Sequence, residues 1–197
     1  MQVTRSVRGA TRADQIVAAT VDALAEIGHP ATTLQEIARR GGLSSTRLIG
    51  HHFGSRDGLM AAVAGRIVQG FAAAVQVRVR AAPTPTTAVA AYIEANIGYM
   101  AAHPAQMRAL LALAAAGALP ADPVRSTGGT DALEQIVRAG VESGEFRAVR
   151  PALAAALIQR SLEGFPRLAE AGGSAEQLTT EMTVFFLAAL GAPPADG

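Results

Sequence analysis

Between Gly28 and Arg56 the chain is punctuated too tightly for a sheet or a long helix. Gly28 is a left-handed C-cap candidate, and Pro30 sits two residues beyond it. Thr33-Leu34-Gln35-Glu36 has the form of a capping box, in which the Thr33 hydroxyl accepts from the Glu36 amide and the Glu36 carboxylate reaches back. Gly41-Gly42 ends that helix within two turns. Ser44-Ser45-Thr46 then opens a second short helix, carrying Leu48, Ile49 and Phe53, which Gly54-Ser55 breaks. A longer helix precedes the pair, from about Thr11 to Ile27, with Ile16, Val17, Val21 and Leu24 at helical spacing. Another follows from Arg56 to about Arg80, with Leu59, Met60, Val63, Ile67, Phe71 and Val75 along one side. This is the pattern of a three-helix head containing a helix-turn-helix.

The rest of the chain is also helical in pattern. Half of the 197 residues are hydrophobic and only 4% aromatic. Alanine, the best helix former, is abundant. The residues from Ala81 to Thr87 form a connection. Val89, Tyr92, Ile93, Asn96, Ile97 and Met100 make a clean helical stripe, and Pro104 suits the first turn of the next helix, with Met107, Leu110 and Leu111. Leu119 to Gly129 is expected to be a long mobile loop. Leu133, Ile136, Val137 and Val141 mark a helix ending at Ser143-Gly144, and two more helices span about Pro151 to Ala171 and Ala175 to Leu190. The expected fold is all-α, with about nine helices. Residues 1–10 form a flexible arm, 11–56 the helix-turn-helix head, 57–190 a helical effector-binding and dimerisation domain, and 191–197 a tail.

In a helix-turn-helix the second helix enters the major groove. The residues from Ser44 to Arg47 therefore approach base edges and phosphates, and the helix N-terminus adds free amides and partial positive charge. Arg47 is the residue there able to bind guanine with two hydrogen bonds. Arg56, at the start of the following helix, is expected to reach a phosphate. Charge agrees modestly: residues 1–66 hold eight arginines against five acids, whereas residues 67–197 hold nine against eleven. All the basic residues are arginine.

From about Arg12 to Val63 the chain resembles the N-terminal domain of the tetracycline-repressor (TetR) family. The resemblance is carried by Ile16 to Ala19, Leu24, Gly28, Thr32-Thr33, Ile37-Ala38, Gly42-Leu43-Ser44 and His52-Phe53-Gly54-Ser55-Arg56-Asp57-Gly58-Leu59. The remainder is similar to the family's second domain in helix pattern, length and the phrase Gly144-Glu145-Phe146-Arg147. The resemblance implies DNA contacts at Thr33, Ser44, Ser45, Thr46, Arg47, His51, His52 and Arg56. Two departures stand out: the stretch from Ser44 to Phe53 is one residue longer than the commonest pattern, and His51 stands where members carry a phosphate-gripping Tyr. The implied function is a regulator, in the expected case a repressor, that binds a palindromic operator in double-stranded DNA as a homodimer. A small apolar or amphipathic effector would release it. A DNA-free helical sensor or adaptor is the competing reading.

Asn96 interrupts an apolar stripe and fits either a satisfied core position or a polar anchor in an effector pocket with Tyr92, Tyr99, Met100, Met107 and Leu111. The wide apolar face of the last helix, with Leu178, Met182, Phe185 and Phe186, fits either intramolecular core or a dimer interface shared with Leu157, Ser161 and Phe165. His51 and His52 are adjacent, so they do not share a helix face and do not form a metal site. Cysteine is absent, which excludes disulfides and thiolate chemistry. No Gly-x-Ser-x-Gly, His-Glu-x-x-His, P-loop or Rossmann pattern occurs, so neither an enzyme nor a cofactor is expected. The N-terminus lacks an apolar run, and the longest such run, Leu110 to Leu119, is too short for a bilayer. A cytoplasmic protein without a membrane partner is the expectation.

Overall fold

The computed structural model describes residues 3–119, 129–170 and 172–192. Within them the chain is all-α, with ten helical elements: α1 Val3–Ala31, α2 Leu34–Arg40, α3 Arg47–Phe53, α4 Arg56–Arg80, α5 Pro85–Ala102, α6 Pro104–Ala115, α7 Gly129–Ser143, α8 Pro151–Glu163, α9 Phe165–Glu170 and α10 Ala175–Leu190. The expected loop between Leu119 and Gly129 lies almost entirely outside the described residues, as do positions 193–197 of the tail.

Three expectations need correction. First, α1 begins at Val3, so residues 3–10 are helix and not a flexible arm. Gly9 is the one poor helix former in that stretch, at about 1 kcal/mol relative to Ala, and the helix runs through it. Second, the single helix expected over 151–171 is interrupted at Gly164, giving α8 and the short α9. Pro166 has no N–H to donate back into α8. Third, the division at residues 56 and 57 is not the one the chain adopts. Among the described residues, those within 1–68 and 103–121 form one compact unit, and those within 69–102 and 122–197 form another.

The first unit is built on α1, which is kinked at Gly28, where φ is 73° and ψ 172°. That backbone conformation suits glycine and ends the regular helix there. Ile16, Leu24, Ile37, Ile49, Leu59, Met60 and Val63 are fully or almost fully buried together with Ala109 and Leu113 of α6. The expected inner face of the head is thus its core, and α6 completes it. The apolar length of α4, sufficient by composition to cross a bilayer, is partly spent here on Leu59, Met60, Val63 and Ile67.

In the second unit α5 packs against α7, α8 and α10 around Val89, Ile93, Ile97, Leu133, Val137, Phe146, Ile158 and Leu162. The phrase Gly144-Glu145-Phe146-Arg147 ties three helix ends together. Gly144 turns the chain out of α7, and the Phe146 N–H donates to the Gly140 carbonyl at 2.9 Å. Glu145 caps α5: its Oε2 accepts from the Thr86 N–H at 3.1 Å and the Thr86 hydroxyl at 2.8 Å. The Thr87 N–H donates to Thr84 Oγ1, and Pro85 has no N–H, so the first turn of α5 is accounted for. Arg147 closes the far end of α10, donating from its backbone N–H to the Leu190 carbonyl and from Nε to the Ala189 carbonyl, both at 2.8 Å.

Candidate nucleic-acid interface

Thr33 is exposed and caps α2, its Oγ1 accepting from the Glu36 N–H at 3.2 Å. Only half of the expected capping box forms. The Glu36 carboxylate turns instead to arginine, accepting two bonds from Arg39 and one from Arg40, which itself reaches Glu26 at 2.6 Å. Those arginines hold the Glu36 carboxyl well below its ordinary range, at about 2. Gly41 and Gly42 make the turn, with Gly42 at φ 57°.

The second helix starts later than the sequence suggests. Ser44 does not cap it; α3 begins at Arg47, and Ser45 Oγ accepts from the Arg47 N–H at 3.1 Å. A hydroxyl bonding two residues ahead offers the backbone an alternative to helix, so the segment 44–46 approaches α3 as a turn. Ser44, Ser45, Arg47 and His51 are exposed, while Thr46 and His52 are half-buried. Ile49 is the one buried residue of α3, at 0% exposure. Seven residues are too few for a helix to persist alone; Ile49, with half-buried Phe53, fixes it to the head. The Arg47 guanidinium has no hydrogen-bond or ion-pair partner among the described residues.

Arg56 is placed differently from expectation. It is half-buried, and its guanidinium is already engaged: Nε donates to the Thr32 carbonyl at 3.1 Å and Nη2 to the His29 carbonyl at 2.6 Å. His29 is shifted below its ordinary pKa, first by burial and then by the neighbouring Arg56 charge. No sequence signal announced these bonds, since the partners lie 24 and 27 residues away.

Residues 16–63, which contain this whole arrangement, match the family of bacterial regulatory proteins named tetR. Over 86 residues the chain is 36% identical to the HTH-type transcriptional regulator BetI of Burkholderia ambifaria, covering 43% of this chain and 44% of that protein. The crystal structure of the TetR family transcriptional regulator PfmR from Thermus thermophilus superposes with a TM-score of 0.75 at 25% identity, over 88% of this chain and 97% of that one. The match to the tetR family model is confined to residues 16–63, and the fold of the whole chain is similar to that of TetR-family regulators. A tetR-family regulatory protein from Rhodococcus shares the fold at a TM-score of 0.78, with 20% identity over 94% of this chain and 98% of that one. The chain spans less than half the length of the BetI relatives it matches.

The six expected pocket residues do not come together in one unit. Tyr92, Asn96, Tyr99 and Met100 belong to the second, but Met107 packs on the core of the first and Leu111 of that unit is exposed. Tyr92 is 4% exposed. Its hydroxyl donates to Gln159 Oε1 at 2.8 Å, and burial pushes its pKa up to about 12. The Asn96 amide donates to the Tyr92 carbonyl at 2.7 Å, so Asn96 is a satisfied core position. Gln159, buried among apolar residues, was missed because a glutamine in an Ala-rich helix carries no periodic signal. Tyr99 stands edge-on to Phe71, with ring centroids 5.1 Å apart.

The expected dimer residues divide as well. Phe165 and Phe186 are buried in the core of the second unit, and half-buried Leu178 and Met182 pack against it. Leu157 and Phe185 are exposed, at 57% and 67%, and Ser161 is exposed between helical neighbours. Leu168, at the end of the stretch from Leu157 expected in that interface, is exposed, and so are Leu153 and Val184, which the expectation did not name. Leu153 and Leu157, four residues apart on α8, would have shown themselves as an apolar pair lying off the core face.

Proposed function

We propose that this chain is a DNA-binding transcriptional regulator working in the cytoplasm. Two copies would present α3 to successive major-groove faces of a near-palindromic operator, with half-sites about 34–36 Å apart. The observation that carries the reading is Arg47 at the first position of α3, its guanidinium without a partner among the described residues, on a helix held in place by Ile49. Ser44, Ser45, Thr46 and His51 flank it, and Thr33 offers a hydroxyl at the start of α2. The exposed apolar side chains Leu153 and Leu157 of α8 and Val184 and Phe185 of α10 support the homodimer, because obligate interfaces resemble a core cut in half. A small apolar or amphipathic effector would act through the second unit, near Tyr92, Tyr99 and Met100, by binding the DNA-competent and incompetent states with different affinity. Repression is the proposed outcome.

Selection of bound duplex from a random pool tests this directly. Recovery of a palindrome supports both DNA reading and the dimer; recovery of no preferred sequence refutes the first. Arg47→Ala should then weaken the selected site by about 1–3 kcal/mol and weaken a scrambled duplex much less. Equal losses on both would remove Arg47 from base reading. A chain with no salt-dependent affinity for any duplex would instead be a DNA-free sensor.

A further inference from the structure

Arg56 occupies the first position of α4, where the helix dipole disfavours a cation. A cation kept there has a use other than helix stability. Its planar guanidinium spends one edge, Nε and Nη2, on the Thr32 and His29 carbonyls. Two of its five N–H donors are thereby committed to the protein's own backbone, which fixes the orientation of the group. The two carbonyls belong to the short segment between the kink at Gly28 and the cap at Thr33, a last helical turn followed by Thr32. Thr32 is itself buried there, its hydroxyl donating to the Gly28 carbonyl at 2.7 Å. That stretch sets where Thr33 and the first amides of α2 point. All these residues lie in one compact unit.

We infer that Arg56 is a positioning residue for DNA binding, holding the 28–33 junction, and with it Thr33 and the start of α2, against the start of α4. The inference rests on the DNA-binding function proposed above. It assigns Arg56 a role distinct from a phosphate contact, and the two roles separate experimentally. Lysine is a good phosphate partner but a point charge on a flexible stem, so it cannot reproduce a fork across two carbonyls.

The test uses the full chain as wild type, Arg56→Lys and Arg56→Ala. Each is titrated by fluorescence anisotropy against the selected operator and a scrambled duplex over a salt series. Arg56→Lys should keep the affinity for scrambled duplex and the wild-type salt slope, yet lose about tenfold on the operator, a coupling of ordinary size. A loss of properly folded protein alone would lower both affinities alike, and that result overturns the inference. It is equally overturned if Arg56→Lys binds the operator like wild type while Arg56→Ala flattens the salt slope by about 0.9 per protomer, the signature of one lost phosphate contact. Should Arg56→Ala fail to fold, the operator-to-scrambled ratio of Arg56→Lys still decides. Absence of any operator preference in the wild type would sink the underlying function and the inference with it, and is recognisable because it appears before any substitution.

Discussion

Gly140 lies within α7, where replacing glycine by alanine ordinarily stabilises a helix by about 0.8–1.0 kcal/mol. Here the sign should reverse. A Cβ built on Gly140 would stand 2.1 Å from Phe146 Cδ2, 2.3 Å from Cε2 and 2.8 Å from Cγ. Carbon atoms in contact prefer about 3.5–4.0 Å, so one whole edge of the ring would have to retreat substantially. Phe146 has little freedom to do so: it is 4% exposed in the core of the second unit, and its own N–H is bonded to the Gly140 carbonyl. Overpacking of this kind costs about 1–3 kcal/mol, more where the ring is displaced outright. Gly140→Ala should therefore destabilise the protein by about 1–2 kcal/mol despite its better helix propensity. Phe146→Ala should cost about 3–5 kcal/mol. On that background, with the ring gone, Gly140→Ala should stabilise by up to about 1 kcal/mol. Urea unfolding of the four proteins in the double-mutant cycle, with unchanged m-values, measures the coupling. A stabilising Gly140→Ala in the wild-type background would refute the reasoning, because it would mean that the ring does not occupy that space.

Two further perturbations follow from the same accounting. Glu36 is held at about 2 by Arg39 and Arg40, against an unfolded value near 4.5. Its contribution to stability is therefore present above about pH 4.5 and lost as pH falls toward 2; acid unfolding should lose part of its pH dependence in Glu36→Gln, and an identical pH profile would show that the carboxylate is not paired in solution. Tyr92→Phe removes the donor to Gln159 Oε1 and should cost about 1–3 kcal/mol, the ordinary cost of a buried acceptor left unsatisfied. Because the Tyr92 hydroxyl is neutral in the folded state up to about 12, against an ordinary value of 10.0, the wild type should also lose stability as pH rises above about 10, and Tyr92→Phe should lose less; equal alkaline sensitivity in ultraviolet-monitored unfolding would argue against burial of that hydroxyl.

What could be read from the sequence was whatever is decided by neighbours along the chain. The helix-turn-helix was legible because its punctuation is local chemistry: the Thr33 cap, the glycine pair at 41–42, and the apolar positions Ile37, Ile49 and Leu59 at fixed spacings. Even there, local chemistry misplaced the start of the second helix. Ser44 has a good capping side chain, but Ser45 satisfies the Arg47 amide from outside the helix, and propensity alone does not rank the two. Partners distant in sequence were not legible. Met107, Leu110 and Leu111 reveal that α6 has an apolar face, but nothing in their spacing says that Ala109 and Leu113 complete the first unit's core. The Gly144-Glu145-Phe146-Arg147 phrase was noticed as a resemblance; its work, capping α5 and α10 from one turn, depends on residues 59 and 42 positions away.

The same distinction changes what the basic character of the N-terminal third means. Composition counts every arginine as available to a polyanion, whereas the structure shows most of them engaged. Between Arg12 and Arg66, Arg12 bonds Gln15, Arg39 and Arg40 share Glu36, Arg56 bonds two carbonyls and Arg66 pairs with Asp14. The exposed ion pairs among these are individually weak and can yield to phosphate, but each exchange must first give up an existing partner. Arg47 has no such partner to give up among the described residues. On the proposed function, a head arranged this way would attract duplex modestly at any sequence and would gain most where the first turn of α3 met its bases. Under the proposed function, specificity would come from where the Arg47 guanidinium is held, and the residues that matter to it would include Ile49, which is buried under α3.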